Sequence, residues 1–154
     1  MTTAERIVCI ASAEVGVRES KTNGGAEIEA YQRATWLPPG PWAWCAAFVC
    51  WVLAKALPDQ PELPETAGAW DFERWCRSVG TWARLRKPTM GDIKAGDVVI
   101  FTFSHIGIAT GSPDAAGNVP TIEGNTNGAG SREGDGVYRK TRHVSKIRSR
   151  IRFY

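Results

Sequence analysis

Lys94-Ala95-Gly96-Asp97, Val98-Val99-Ile100-Phe101-Thr102-Phe103, then Ser104-His105-Ile106-Gly107-Ile108-Ala109-Thr110 is the stretch in which the chain has changed its hydrophobic period. Before Met90 apolar residues recur at helical spacing; after it they come as short runs of Val, Ile and Phe between turn formers. The turn at 94–97 feeds a strand over Val98–Phe103, and a second runs from His105 to Thr110. Gly111–Gly117 is a turn-rich loop, Val119–Glu123 a third strand, and the Gly-rich stretch Asn125–Gly136 a surface loop. Val137–Arg139 and Val144–Tyr154 complete the sheet. In the last strand Ile147, Ile151 and Phe153 are expected on one face, with Lys146, Arg148, Arg150 and Arg152 on a solvated one.

Toward the N-terminus the pattern is helical. Thr2 and Glu5 form a capping box ahead of Ala4, Ile7, Ala11 and Val15. A short helix over Ala26–Ala34 follows the turn Asn23-Gly24-Gly25. Leu37-Pro38-Pro39-Gly40-Pro41 cannot be helical, so a helix starts at Cys45 and runs to Leu57, where Pro58 stops it. A fourth helix is expected over Thr66–Ser78, capped by Thr66 and ended by Gly80. Helices first and antiparallel strands second make an α+β fold, N-terminal helices packed on a C-terminal sheet. With no repeat, low-complexity tract or long linker, residues 1–154 read as one domain.

The chain has 154 residues, 43% hydrophobic and 23% charged, enough to bury a core without metal or disulfide support. Its net charge of +3 is a mild bias that favours approach to an anionic polymer. No nucleic-acid motif is present, so no nucleic-acid partner is expected. The longest apolar run, Ala46–Leu57, is too short to span a bilayer, and no membrane insertion is expected. The first residues, Met1-Thr2-Thr3-Ala4-Glu5-Arg6, lack the basic and apolar regions of a secretory signal. The expectation is synthesis in the cytoplasm, with any action at the cell wall or periplasm requiring a holin, a phage particle or a secretion machine.

Four cysteines, Cys9, Cys45, Cys50 and Cys76, and two histidines, His105 and His143, are present. No Cys-x-x-Cys spacing exists, which argues against zinc. Cys45 differs from the other three by standing at a helix start. Unsatisfied N–H groups there carry partial positive charge, which favours thiolate and can hold an oxyanion. Trp42 and Trp44 flank it and are expected to exclude water or grip a substrate. Cys50 lies beyond the first turn and faces elsewhere; with Cys9 and Cys76 it is expected to be a small buried hydrophobe.

His105 opens the second strand. If 111–118 joins antiparallel neighbours, His105 faces about position 124, with Glu123 and Asn125 beside it. A carboxylate or amide there would hold the imidazole in the tautomer that leaves its other nitrogen to the thiol. His143, in the basic run Arg139–His143, is expected at the surface, and Asp92 and Asp97 are turn residues.

Taken in order, Pro41-Trp42-Ala43-Trp44-Cys45-Ala46-Ala47-Phe48-Val49, Gly96-Asp97-Val98-Val99-Ile100-Phe101, Ser104-His105-Ile106-Gly107-Ile108 and Ile122-Glu123-Gly124-Asn125 resemble the CHAP family of cysteine, histidine-dependent amidohydrolases/peptidases. The resemblance implies a papain-like α+β fold and cleavage of amide bonds in bacterial peptidoglycan. It makes Cys45 the nucleophile, His105 the base, and Glu123 with Asn125 the groups that orient the histidine. Where many phage members carry Gln before the cysteine this chain has Trp44, which leaves the second oxyanion donor unassigned. Residues 36–44 hold no acid, so no calcium is expected, nor any other cofactor. A monomer is expected. The alternatives are a non-catalytic module that docks wall or a phage component, an intracellular thiol hydrolase or acyltransferase, and an antibacterial amidase toxin with an immunity protein.

Overall fold

Thr2 and Glu5 close a reciprocal capping box: Glu5 N–H donates to Thr2 Oγ1 (3.2 Å) and Thr2 N–H to Glu5 Oε2 (2.6 Å). That opens α1, Thr3–Ala13. The computed structural model describes residues 1–80, 82–89 and 91–154; Thr81, and Met90 at the change of period, lie outside them. Among the described residues α2 is Ala26–Gln32, α3 Cys45–Ala56 and α4 Asp71–Ser78, followed by strands β1 Arg84–Arg86, β2 Val98–Phe101, β3 Ile106–Ala109, β4 Asn118–Thr126, β5 Gly136–His143 and β6 Ile147–Arg152. Every pairing is antiparallel, in the order β1-β6-β2-β3-β4-β5. This is the α+β arrangement expected.

The central helix α3 packs on β3 and β4, with α1 and α2 against it. Ala46, Ala47, Phe48, Val49, Val52 and Leu53 are all buried, so it is apolar around most of its girth, as a helix enclosed by other elements must be. The small residues let the backbone approach the sheet. Gly124 completes the fit, because a Cβ there would sit 2.8 Å from both Phe48 Cβ and the Trp44 ring. Val98, Ile100, Ile106, Ile108, Ile122 and Ile151 meet the helices, while Ile93, Val99, Phe101, Ala109, Val119 and Ile147 form a smaller cluster.

The last strand departs from simple alternation. Ile100 pairs with Ser149 but Phe101 with Ile147, so Arg148 is an extra residue in β6. That bulge sends Ile147 to the smaller cluster and leaves Ile151 and Phe153 in the main core, not all three together. The basic row is solvated only in part: Lys146 and Arg148 are exposed, but Arg150 and Arg152 are not. Arg150 is buried and donates to Asp92 Oδ1 (2.9 Å), and Arg152 meets both oxygens of buried Asp97 (2.7 Å each). Asp92 and Asp97 are therefore anchors for β6 as well as turn residues.

Helix α4 starts at Asp71, five residues after the expected cap. Thr66 Oγ1 accepts from the N–H of Gly68, two residues on, which closes a turn and not a helix. Cys50 and Cys76 are buried, their thiols on the carbonyls of Thr66 and Ala83, and burial pushes both thiols up from the usual range. Cys9, expected to be buried, faces solvent on α1.

Candidate active site

Three elements bring the chemistry together: the start of α3, the turn between β2 and β3, and the end of β4. The segment before α3 is held by Gln32, which is fully buried at the end of α2. Its Nε2 donates to the carbonyls of Gly40 (2.8 Å) and Trp42 (3.2 Å), and its Oε1 accepts from Gly40 N–H (3.3 Å). One side-chain amide thus ties the proline-rich loop to the end of α2. Gln32→Leu removes all three bonds, with an expected loss of about 2 kcal/mol in urea unfolding.

Trp44 occupies the N-cap of α3 without a side-chain cap hydrogen bond. Expected to exclude water or grip substrate, it is wholly buried, which leaves no ring area to grip substrate: it stacks on Tyr31 at 5.6 Å, and its Nε1 donates to Glu19 Oε1 (2.7 Å). A ring this size without exposed area is a packing anchor, and what it anchors is the first turn of α3. Trp42 is half-buried, tied by Nε1 to the Pro38 carbonyl (2.9 Å). A cavity of about 510 Å³ lies against this lead-in, between residues 21–24 and Pro39-Gly40-Pro41.

Cys45 is the first residue of α3, 6% exposed. His105 sits immediately before β3 in a tight turn, its N–H on the Phe103 carbonyl (2.6 Å) and its carbonyl accepting from Phe101 N–H (3.0 Å). The imidazole is buried and lies nearly parallel to the rings of Phe101 and Phe103, at 5.7 and 5.9 Å between centres. Its Nε2 is 2.9 Å from Glu123 Oε1, with the oxygen off the N–H line. Burial acts on the imidazole most strongly and alone would lower its pKa. The adjacent Cys45 thiol and the Glu123 carboxylate together outweigh burial and carry it up to about 9.

Glu123 reaches His105 because of what faces it. Ile108 pairs with Ile122 and Ala109 with Thr121, one residue beyond the expected register, so Gly107 comes against Glu123. A Cβ on Gly107 would stand 2.6 Å from Glu123 Cγ; the missing side chain makes room for the carboxylate. Its other contacts are Thr121 Oγ1 (2.9 Å) and the Arg142 guanidinium, whose Nη2 meets Oε1 (2.8 Å) and whose Nε meets Oε2 (2.9 Å). Burial pushes the Glu123 carboxyl up, but the bonds from His105 and Arg142 prevail and hold it below the usual range.

Asn125, expected to help orient His105, makes no hydrogen bond to it among the described residues. At φ 55° it interrupts β4, whose register against β5 shifts between Glu123 and Thr126, so the period of two expected to align it with Glu123 is broken. Its amide is buried with no hydrogen bond among the described residues. Strand β4 also continues to Thr126, into residues expected to be loop. His143 is exposed, its ring on Ser145 Oγ (2.8 Å) and the Ala116 carbonyl (3.0 Å).

Sequence reasoning missed Thr121, Gln32 and Arg142. Thr121 was within reach of the same argument that found Glu123, since i and i+2 share a strand face. Arg142 was hidden in the basic run, and only the β4–β5 register, which pairs it with Val119, places it on the Glu123 side.

A family model for the CHAP domain matches residues 37–125, more than half of the chain and the part that carries Cys45, His105, Glu123 and Asn125. No curated protein and no solved structure matches it.

Proposed function

Because the chain belongs to the CHAP domain family, whose members are generally cysteine- and histidine-dependent amidohydrolases or peptidases, we propose that it hydrolyses an amide bond of bacterial peptidoglycan, as an amidase or an endopeptidase. The observation that carries the reading is the meeting of a helix-start thiol, a buried imidazole and a buried carboxylate within the matched residues. In the proposed cycle Cys45 gives its proton to His105 and the sulfur attacks the amide carbon. N–H groups in the first turn of α3 receive the oxyanion. His105 returns the proton to the departing amine, leaving a thioester. Water then attacks, its proton passing to His105, and the acid is released as the thiol re-forms. Glu123 keeps the imidazole oriented and stabilises its charged form.

The imidazolium has to survive until it protonates the amine. With its pKa near 9, kcat/KM is expected to hold through neutral pH and to fall as pH rises through about 9. The test of the function is digestion of purified peptidoglycan followed by mass spectrometry of the soluble fragments. The expected result is fragments bearing new amine and carboxyl ends from one type of amide bond. Intact wall after prolonged incubation with folded protein would reject the proposal in favour of a docking module.

A further inference from the structure

Arg142 comes from β5, beyond the residues matched by the family model, and touches three parts of the site at once. Its Nε and Nη2 take the two Glu123 oxygens (2.9 and 2.8 Å), and its Nη1 donates to the Gly130 carbonyl (3.1 Å). The guanidinium carbon lies 5.3 Å from the ring centres of both Phe101 and Phe103, the pair stacked with His105. Lys140, two residues earlier on the same strand face, grips the same loop through the carbonyls of Asn127 (3.2 Å) and Gly128 (2.7 Å). It is not among the hydrogen-bond partners of Glu123. Two cations therefore hold one loop, and one of them also holds the carboxylate.

A planar fork that meets both carboxylate oxygens fixes the carboxylate's rotation; an ammonium, as a point charge, does not. We propose that Arg142 is a positioning residue, clamping Glu123 in the rotation that presents Oε1 to His105 and coupling that geometry to the loop over 127–135 through Gly130. The inference rests on the reading of Cys45 and His105 as the reacting pair.

The titratable and charged groups bearing on His105 are Cys45 from α3, Glu123 from β4 and, behind Glu123, Arg142 from β5. A cation on the carboxylate neutralises part of the charge the imidazole feels, so its removal strengthens the hold on the imidazolium proton. The chain has two histidines, so in a His143→Gln background a single imidazole signal can be followed by NMR against pH. Arg142→Lys keeps the charge but loses the fork, so the carboxylate turns away from the imidazole and the midpoint is expected to fall by about half a unit or more. Arg142→Met loses the fork and the charge together, and its midpoint lies above that of Arg142→Lys. Lys140→Met frees the same loop and leaves the midpoint in place. On peptidoglycan Arg142→Met lowers kcat about tenfold with KM little changed.

An unmoved or raised midpoint in Arg142→Lys, or an equal fall in Lys140→Met, overturns the proposal. Should Arg142→Lys not fold, Arg142→Met decides: a loss of kcat with KM little changed supports the clamp and an unchanged kcat overturns it. The titration needs no substrate and so separates the two readings. Intact wall with the predicted shifts rejects only the function proposed above, and cut wall with unmoved midpoints rejects only the clamp.

Discussion

Cys45→Ser yields a chain that folds as the parent does and cuts peptidoglycan slower by a factor of about 10⁴ or more. The substitution is nearly isosteric, at a site with 6% exposure, so its effect on unfolding is expected to stay within about 1 kcal/mol. Activity falls because the hydroxyl is a far weaker nucleophile and the neighbouring imidazole was matched to a thiol. A second consequence follows from the electrostatics. Burial lowers the His105 pKa and Cys45 is the leading influence that raises it, so losing the thiol brings the imidazole down from about 9. Unfolding curves, fragment release and an imidazole titration on the same variant test all three. A serine variant that clears wall at the parent rate would exclude this nucleophile.

Glu123→Ala is expected to damage both stability and activity. The carboxylate has no exposed area and is shared by His105, Arg142 and Thr121. Its removal strands a mostly buried guanidinium and an imidazole without their anion, which costs about 3–5 kcal/mol. Glu123→Gln separates charge from volume: it keeps the space filled and one acceptor in place, and costs about 1–3 kcal/mol. The pH dependence gives an independent sign. The folded-state pKa of Glu123 lies below its unfolded value, so its stabilisation is present above the ordinary carboxylate range and is lost as pH falls through the folded value. His105 runs the other way: raised to about 9, it contributes below pH ~6.5 and loses that contribution as pH rises through about 9. Glu123→Gln should flatten the acid side of the stability profile; an unchanged acid limb would show that the carboxylate is not charged in the folded protein.

What could be read from the sequence was local. The capping box at Thr2 and Glu5, the proline stop after α3 and the start of a helix at Cys45 each depend on a few adjacent residues, and each stands in the structure. The pairing of His105 with Glu123 was legible because a hairpin fixes register from its loop, even with a one-residue error. What failed was non-local. The bulge at Arg148 answers to the neighbouring strand β2, and the start of α4 was lost to a Thr66 turn that satisfies the same backbone donor differently. The burial of Trp44 was not legible because nothing near it in the chain reveals Tyr31 and Glu19 closing over it. The break in periodicity at Asn125 was hidden for a similar reason, since a positive φ within a strand leaves no periodic trace.

The central claim is that Cys45 and His105 act as one unit on a wall amide. The most direct test is the rate at which free amines appear from purified peptidoglycan with the parent, Cys45→Ala, His105→Ala and the double variant. Each single change is expected to remove about 10³-fold or more, and the double change no more than the worse single one, because either loss disables the same step. A His105→Ala protein that still releases amines near the parent rate would contradict it.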